Sequence, residues 1–438
     1  MIRRGFYPFS NSGTARIIGQ RQRTVTFNNE KNACEISGKV AIELYKQYTA
    51  RAPASLGLVA QLGKRVELEE VRRGRHGAAM SEMERRRYGM NLPNNSSVSV
   101  TLDYRAWDPR TNAYVPFSTT TSVMFVPAVL PSGKRSENAI YLNNERQYPS
   151  EGERYGGVIG SMLAVADKVM KFAGIDKRKT TLLVVSENTL PTAAGLSSSA
   201  SGGAAFVHAL VNAVNYDFGE LRESEFAREV SGSAARVKGG FNFWFRGRAR
   251  DGNDSYASSI MPATHWPELK DVIVVVDGNG REISSREAHE RSVKSPLYEK
   301  RTRFAERNAH NLIGVIRAKN FEGLGHITMA DSDNVHEVLQ SVGINYLTRE
   351  SEEVKSAISE LNRREMKLVA AYSFALGPNL HVLTTSERLD MVLETISKIE
   401  AVKDLMVLSP GNGPELLDEK ASLIDVANLA PLMRKQAG

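Results

Sequence analysis

Asn188-Thr-Leu-Pro-Thr-Ala-Ala-Gly-Leu-Ser-Ser-Ser-Ala-Ser-Gly-Gly-Ala204 decides how the rest of this chain is read. The apolar run Thr181-Leu-Leu-Val-Val185 leads into it and predicts a buried strand. Pro191 lies just past that strand, and small residues up to Ser199 allow a tight loop. Ala200 to Val214 has the spacing of a helix, with Gly202 and Gly203 permitting close packing. A strand, a small-residue loop and a helix N-terminus together present free backbone N–H groups to an anion. Gly195 lets the backbone approach closely, and Ser197, Ser198 and Ser199 add hydroxyl donors. On geometry alone, a serine-rich helix cap would read the same way.

A chain of 438 residues has room for two domains or one large two-lobed unit. Hydrophobic content of 41% and charged content of 24% suit a globular protein with a substantial core. No apolar run reaches the roughly 18 residues of a membrane span, and the first residues lack the apolar core of a secretory signal. The single cysteine, Cys34, excludes an internal disulfide and a multi-cysteine zinc site, so the expectation is a cytoplasmic protein with no metal site. The net charge of +7 raises a nucleic-acid reading, but aromatics are only 7% and basic residues are mixed with acidic ones. The densest clusters, Arg72-Arg-Gly-Arg-His76 and Arg85-Arg-Arg87, share one segment that reads as a solvated insertion. No nucleic-acid or membrane partner is therefore expected.

Ser231-Gly-Ser-Ala-Ala-Arg236 is the second informative stretch. A short turn at Ser231, Gly232 and Ser233 can hold phosphate oxygens, and the guanidinium of Arg236 can grip a carboxylate through two parallel charged hydrogen bonds. Elsewhere, Ile36 to Tyr48 has helical spacing through Val40, Leu44 and Tyr48. Val98, Val100 and Leu102 alternate as in a strand, and Gly156 to Phe172 reads as a helix.

The loop Pro191-Thr-Ala-Ala-Gly-Leu-Ser-Ser-Ser-Ala200 resembles the phosphate loop of the GHMP kinase superfamily, within it most closely the mevalonate diphosphate decarboxylases. It has neither the Gly-Lys-Ser/Thr of a Walker loop nor a dinucleotide fingerprint. Ala52 to Lys64 is similar to that family's first motif, retaining Ala52, Pro53, Gly63 and Lys64. Ala60 stands in place of the family's first lysine and Gln61 in place of its tyrosine. Asn91 to Leu102, Ile140 to Glu145, Ser231 to Arg236 and His265 to Leu269 also resemble family motifs. Ser284-Ser-Arg286 is similar to a stretch whose arginine reaches the substrate phosphates. His289, one helical turn later, is near enough to such a site to be tested, and Ile327 to Ser332 with His336 reads as helix packing.

The resemblance implies an α+β, GHMP-type two-lobed fold: a ribosomal S5 domain 2-like lobe carrying the phosphate loop, and a ferredoxin-like lobe. Residues 1–48 are read as an N-terminal extension, 49–264 as the phosphate-loop lobe with a charged, exposed helical insertion at 65–90, and 265–438 as the second lobe. It also implies a phosphorylated mevalonate substrate and a homodimer. Lys64, Gln61 and Arg286 would face the 5-phosphate. Gly195 with Ser197, Ser198 and Ser199, and Ser231 to Ser233, would face other phosphate oxygens, while Arg236 would hold the carboxylate.

Ala371-Tyr-Ser-Phe-Ala-Leu-Gly-Pro-Asn379 carries the departure that matters most. Ala375 replaces the family's catalytic Asp, which takes part in phosphorylating the 3-hydroxyl with ATP. A methyl group neither orients nor deprotonates a hydroxyl. Loss of phosphate and CO2 from an already phosphorylated substrate needs no base. The pattern therefore resembles the archaeal mevalonate 3,5-bisphosphate decarboxylases, and the expectation is an ATP-independent carboxy-lyase making isopentenyl phosphate, with no required cofactor. Other readings stay open: an ATP- and Mg-dependent decarboxylase or kinase variant using Asp331 or His289, an inactive regulatory relative, and a nucleic-acid binder built on the basic insertion.

Overall fold

The computed structural model describes residues 25–28, 33–36, 39–72, 88–130, 133, 135–149, 157–190, 198–277 and 283–425. Thr180–Asn188 is the expected strand, and it pairs antiparallel with Ser118–Pro127 over nine residues. These two sit at the centre of a six-stranded sheet, flanked by Ala139–Leu142 and Glu145–Gln147 on one side and by Gln47–Pro53 and Glu415–Leu417 on the other. The hairpin at Leu142 to Glu145 closes through Asn143 and Asn144 at φ of 48° and 67°. Paired positive φ values give the turn whose twist matches its strands, and Asn tolerates them well.

The helices Gly157–Ala173, Ser198–Asn212 and Gly219–Val230 cover one face of this sheet. Phe206, Val207, Leu210, Val165, Val169 and Phe226 fill the layer between them and the sheet residues Val123, Phe125 and Val184. Each such side chain stabilises the lobe by about 1.5–3 kcal/mol when fully buried.

A second sheet runs Ala257–Met261, Phe241–Trp244, Ser97–Thr101 and Ser55–Val59, all antiparallel. The third has six strands in the order Ala371–Phe374, Leu380–Thr385, Leu269–Val275, Asp404–Leu408, Arg105–Asp108 and Ala113–Pro116. Along Leu269–Val275, Val272 and Val274 face the helices Arg349–Arg364 and Leu389–Ser397, while Ile273 and Val275 join the core around Tyr298–Arg317 and Phe321–Gln340. Alternation sends successive residues to opposite faces, and both faces are covered, so the run from Val272 to Val275 is apolar throughout.

Three expectations change. The segment 36–48 is not helical: Lys39–Glu43 and Gln47–Pro53 are strands, joined through Tyr45 at φ 62°. Val40, Ile42 and Leu44 fit a period of two as well as a period of four, and Ile42 and Leu44 are buried in the first core. The extension boundary at 48 thus falls inside a strand. The boundary at 264 is crossed twice, because Arg105–Asp108 joins the third sheet beside Asp404–Leu408 and Glu415–Leu417 returns to pair with Gln47–Pro53. Finally, the insertion 65–90 begins as a helix, Arg65–Arg72, whose Val66 and Glu67 are buried, and it ends on a buried Tyr88. Residues 73–87 lie outside the described residues. No described helix is long and apolar enough to cross a membrane.

Candidate functional site

The helix Ser198–Asn212 begins with Ser198 half-buried and Ser199 exposed. Gly195 and Ser197 lie outside the described residues. The short 3-10 turn Gly232–Arg236 packs directly against this helix. Gly203 makes that possible, since a methyl group there would meet Ala234 Cβ at 3.1 Å and Val230 Cγ1 at 3.3 Å. Gly202 is less crowded, its nearest neighbour being Thr119 Cγ2 at 3.9 Å. The close approach brings Ser231 Oγ to 3.5 Å from Ser199 Oγ and 3.4 Å from Ser233 Oγ. Three hydroxyls and a helix N-terminus therefore converge, a donor-rich cradle for an anion. Ser201 does different work: its Oγ donates to Ala52 O at 2.6 Å and accepts from Thr119 N–H at 3.0 Å, fastening the helix to two strands.

Arg236 ends the same turn and points inward. Its side chain is buried, and Nε and Nη1 find no hydrogen-bond partner among the described residues. Gly57 leaves room for it, because a methyl group there would lie 3.2 Å from Nη1. Burial pulls its pKa down to about 10, with the carboxylate of Asp331 acting in the opposite direction. The group is still charged at neutral pH. Unpartnered buried N–H groups on a cation are costly, so this arrangement suits a site that completes itself with an anionic ligand.

The two altered family positions meet at one turn of the helix Phe321–Gln340. Ala60 N–H donates to Asp331 Oδ2 at 2.7 Å, and Phe374 N–H, next to Ala375, donates to Ser332 Oγ at 2.9 Å. Both alanines are half-buried. Asp331 is clamped by the fully buried Arg301, whose Nη1 and Nη2 donate to its two oxygens at 2.5 and 3.0 Å. Arg301 Nη2 also donates to Ala60 O at 2.9 Å. Asp331, one of the candidate substitute bases, thus has both oxygens engaged.

His336 packs near the same place, with its ring against Phe374 and Tyr346. Burial lowers its pKa from the ordinary 6.5 to about 4, against a backbone contact with Ala375 that raises it. The native state therefore resists a proton that the unfolded chain accepts. Stability attributable to this group is complete above pH about 6.5 and is lost as pH falls toward 4, by about 3 kcal/mol in all. Denaturant midpoints measured from pH 7 to 4 check this, and His336→Gln is expected to flatten that part of the profile.

Lys64 sits in a second corner of the site. Gly63 before it has φ 69°, and a side chain there would overlap the Tyr298 hydroxyl, so only glycine fits. Gly63 N–H donates to His289 Nδ1 at 3.0 Å. His289, the other candidate base, therefore uses Nδ1 as an acceptor, which puts the proton of the neutral ring on Nε2. Lys64 is buried, and its ammonium lies 4.0 Å from the centre of the Tyr88 ring. Gln61 turns its amide onto Gly63 O, closing the bend. Arg286 is half-buried on the helix Ser285–Ser292, which Ser284 caps by accepting from Glu287 N–H. Its charge acts on Tyr88 as well. Lys64 and Arg286 are thus brought together around a residue that sequence reasoning left inside an exposed insertion. Tyr88, Glu290 and Arg301 were not singled out from the sequence; each contact spans more than any local pattern.

The serines at a helix N-terminus and the turn ending in a buried arginine are set in an α+β fold of GHMP-kinase type. The profile of the diphosphomevalonate decarboxylase-like N-terminal domain matches residues 85–257, and that of the mevalonate 5-diphosphate decarboxylase C-terminal domain matches 271–417. The chain belongs to the diphosphomevalonate decarboxylase family. The diphosphomevalonate decarboxylase of Debaryomyces hansenii is 32% identical over 328 residues, covering 73% of this chain and 80% of that protein. The structure of mevalonate diphosphate decarboxylase from Trypanosoma brucei superposes with a TM-score of 0.69 at 25% identity, over 87% of this chain and 100% of that one. The Enterococcus faecalis mevalonate diphosphate decarboxylase, with a mevalonate diphosphate-mediated ATP binding mechanism, gives 0.66 at 25% identity, over 85% and 99%.

Proposed function

We propose that this chain takes mevalonate already phosphorylated on O3 and O5 and releases phosphate and CO2, leaving isopentenyl phosphate, without ATP. The observation that carries the reading is Ala375, a methyl group at the position of the family's phosphorylating Asp. The two candidate substitutes are otherwise engaged, Asp331 by Arg301 and Ala60 N–H, His289 Nδ1 by Gly63 N–H.

In this reaction the C3–O3 bond breaks and its electron pair leaves with the phosphate. The C1–C2 pair then becomes the C2=C3 double bond as CO2 departs. No proton is removed, so the protein's task is electrostatic and positional. Ser198, Ser199 and the helix N-terminus, with Gly195, Ser197 and the turn Ser231 to Ser233, hold the departing phosphate. Arg236 aligns the carboxylate, and Lys64, Gln61 and Arg286 hold the 5-phosphate. A buried guanidinium whose Nε and Nη1 have no partner among the described residues supports an active enzyme over an inactive regulatory relative, which has no use for that cost. A phosphorylated substrate supports a cytoplasmic setting, and the homodimer belongs to the same proposal.

The named relatives favour a second reading, an ATP-dependent diphosphomevalonate decarboxylase. It needs ATP with Mg, and a group that replaces the missing carboxylate. Incubation with mevalonate 3,5-bisphosphate separates the two. Equal release of phosphate and CO2, unaffected by ATP, is expected. Turnover of a 3-hydroxy substrate only when ATP is added would overturn the proposal in favour of the second reading.

A further inference from the structure

We infer that Ser224, with Thr101, is a positioning residue that aims Arg236 by holding the peptide groups on either side of its Cα. The inference rests on the reading of Arg236 as the group that aligns the substrate carboxylate. The guanidinium has little else to steer it. Its Nε and Nη1 bond to nothing among the described residues, and it lies over Gly57, where a methyl group would stand 3.2 Å from Nη1. The direction of the side chain is therefore set by the backbone that carries it.

That backbone is gripped from two elements. Ser224 lies in the helix Gly219–Val230 and is buried. A serine inside a helix can turn its hydroxyl onto the carbonyl four residues before it. Here Oγ instead donates to Ala235 O at 3.0 Å and accepts from Ala257 N–H at 2.8 Å, tying the serine turn to the strand Ala257–Met261. Ala235 O belongs to the peptide group that enters Arg236. The peptide group that leaves it is held through Arg236 O, which accepts from Lys238 N–H at 3.0 Å and from Thr101 Oγ1 at 3.4 Å. Thr101 is buried in the strand Ser97–Thr101, and its Oγ1 accepts from Asn242 Nδ2 at 3.2 Å and Gly239 N–H at 3.3 Å.

Fixing both peptide planes fixes the φ and ψ of Arg236, and with them the direction of its Cα–Cβ bond. A long side chain turns a small rotation there into a larger displacement at its tip. A misplacement of about 1 Å can cost about a hundredfold in rate. Ser224 makes the shorter bonds and joins a helix to a strand, so the larger share of the aiming falls to it. It is buried and works only through Arg236.

Calorimetric titration of the full chain, without ATP, with mevalonate 5-phosphate and with its C1 carboxamide reads the grip on the carboxylate alone. The wild-type protein is expected to prefer the carboxylate at least about tenfold. Ser224→Ala is expected to narrow that ratio at least about fivefold while the amide binds as in the wild type, which a general loss of structure would not produce. Thr101→Val is expected to narrow it less, with Thr101→Ser restoring it, and provides a second variant if the first melts early. In an Arg236→Ala background the preference is expected to be lost already, and Ser224→Ala to change it no further. An unchanged ratio in both Ser224→Ala and Thr101→Val, or an equal narrowing by Ser224→Ala with and without Arg236, would overturn the inference. A wild-type protein without the preference, or an Arg236→Ala variant that keeps it, would instead remove the carboxylate assignment on which the inference rests.

Discussion

Replacing Arg236 by alanine is expected to lower turnover at least about a thousandfold while leaving the fold intact. The guanidinium is buried against Gly57 at the end of the serine turn, and its Nε and Nη1 carry N–H groups without partners among the described residues. A substrate carboxylate would bring acceptors to this guanidinium only while it is aligned for loss of CO2. Lysine is not expected to rescue the variant, because a point charge on a flexible stem cannot supply the paired, planar donors. The stability side has the opposite sign. Removing a desolvated, unpaired cation takes away a cost, so Arg236→Ala is expected to melt no lower than the wild type. Steady-state rates and a thermal melt on one preparation test both halves. Retention of most activity would remove the assigned carboxylate clamp.

Arg301→Ala is expected to be the most destabilising single substitution near the site, costing about 3–5 kcal/mol. Arg301 is fully buried, donates to both oxygens of Asp331 and also reaches Ala60 O. Its removal strands a buried carboxylate and takes one donor from Ala60 O, which then keeps only Asn95 Nδ2 at 3.0 Å among the described residues. Equilibrium denaturation measures the loss. The paired change Arg301→Met with Asp331→Leu removes both charges together and is expected to recover much of it, since the penalty comes from the orphaned partner rather than from the lost attraction. A cost below about 1 kcal/mol for Arg301→Ala would mean that Asp331 readily finds another partner or a proton.

These two arginines separate what was legible in advance. Arg236 was read from its motif, because the serine turn and the arginine lie within six residues of one another and form one local unit, Ser231 to Arg236. Arg301 carries no such mark, being one basic residue on an amphipathic helix, and its partner Asp331 lies 30 residues on. Asp331 was read as part of the helix-packing stretch Ile327 to Ser332 and as a possible replacement base. Its clamp by Arg301 and Ala60 N–H supports a structural part for it instead.

The sequence by itself determined the elements whose cause is local. The strand Thr180–Asn188, the helix starting at Ser198, the two-asparagine hairpin and the doubly apolar strand Leu269–Val275 follow from periodicity and turn chemistry within a few residues. The same sequence also carries the departures at Ala60, Gln61 and Ala375, which no packing can restore. Only the tertiary structure decided that 39–53 forms strands, because Ile42 and Leu44 satisfy either period until a sheet is there to receive them. It alone brought His289 to Gly63 across 226 residues, Asp331 to Ala60 across 271, and Tyr88 to Glu290 across 202. Local pattern reports which face of an element is apolar. Which buried charges meet is decided by how the faces assemble, where each charge must find a partner or remain costly.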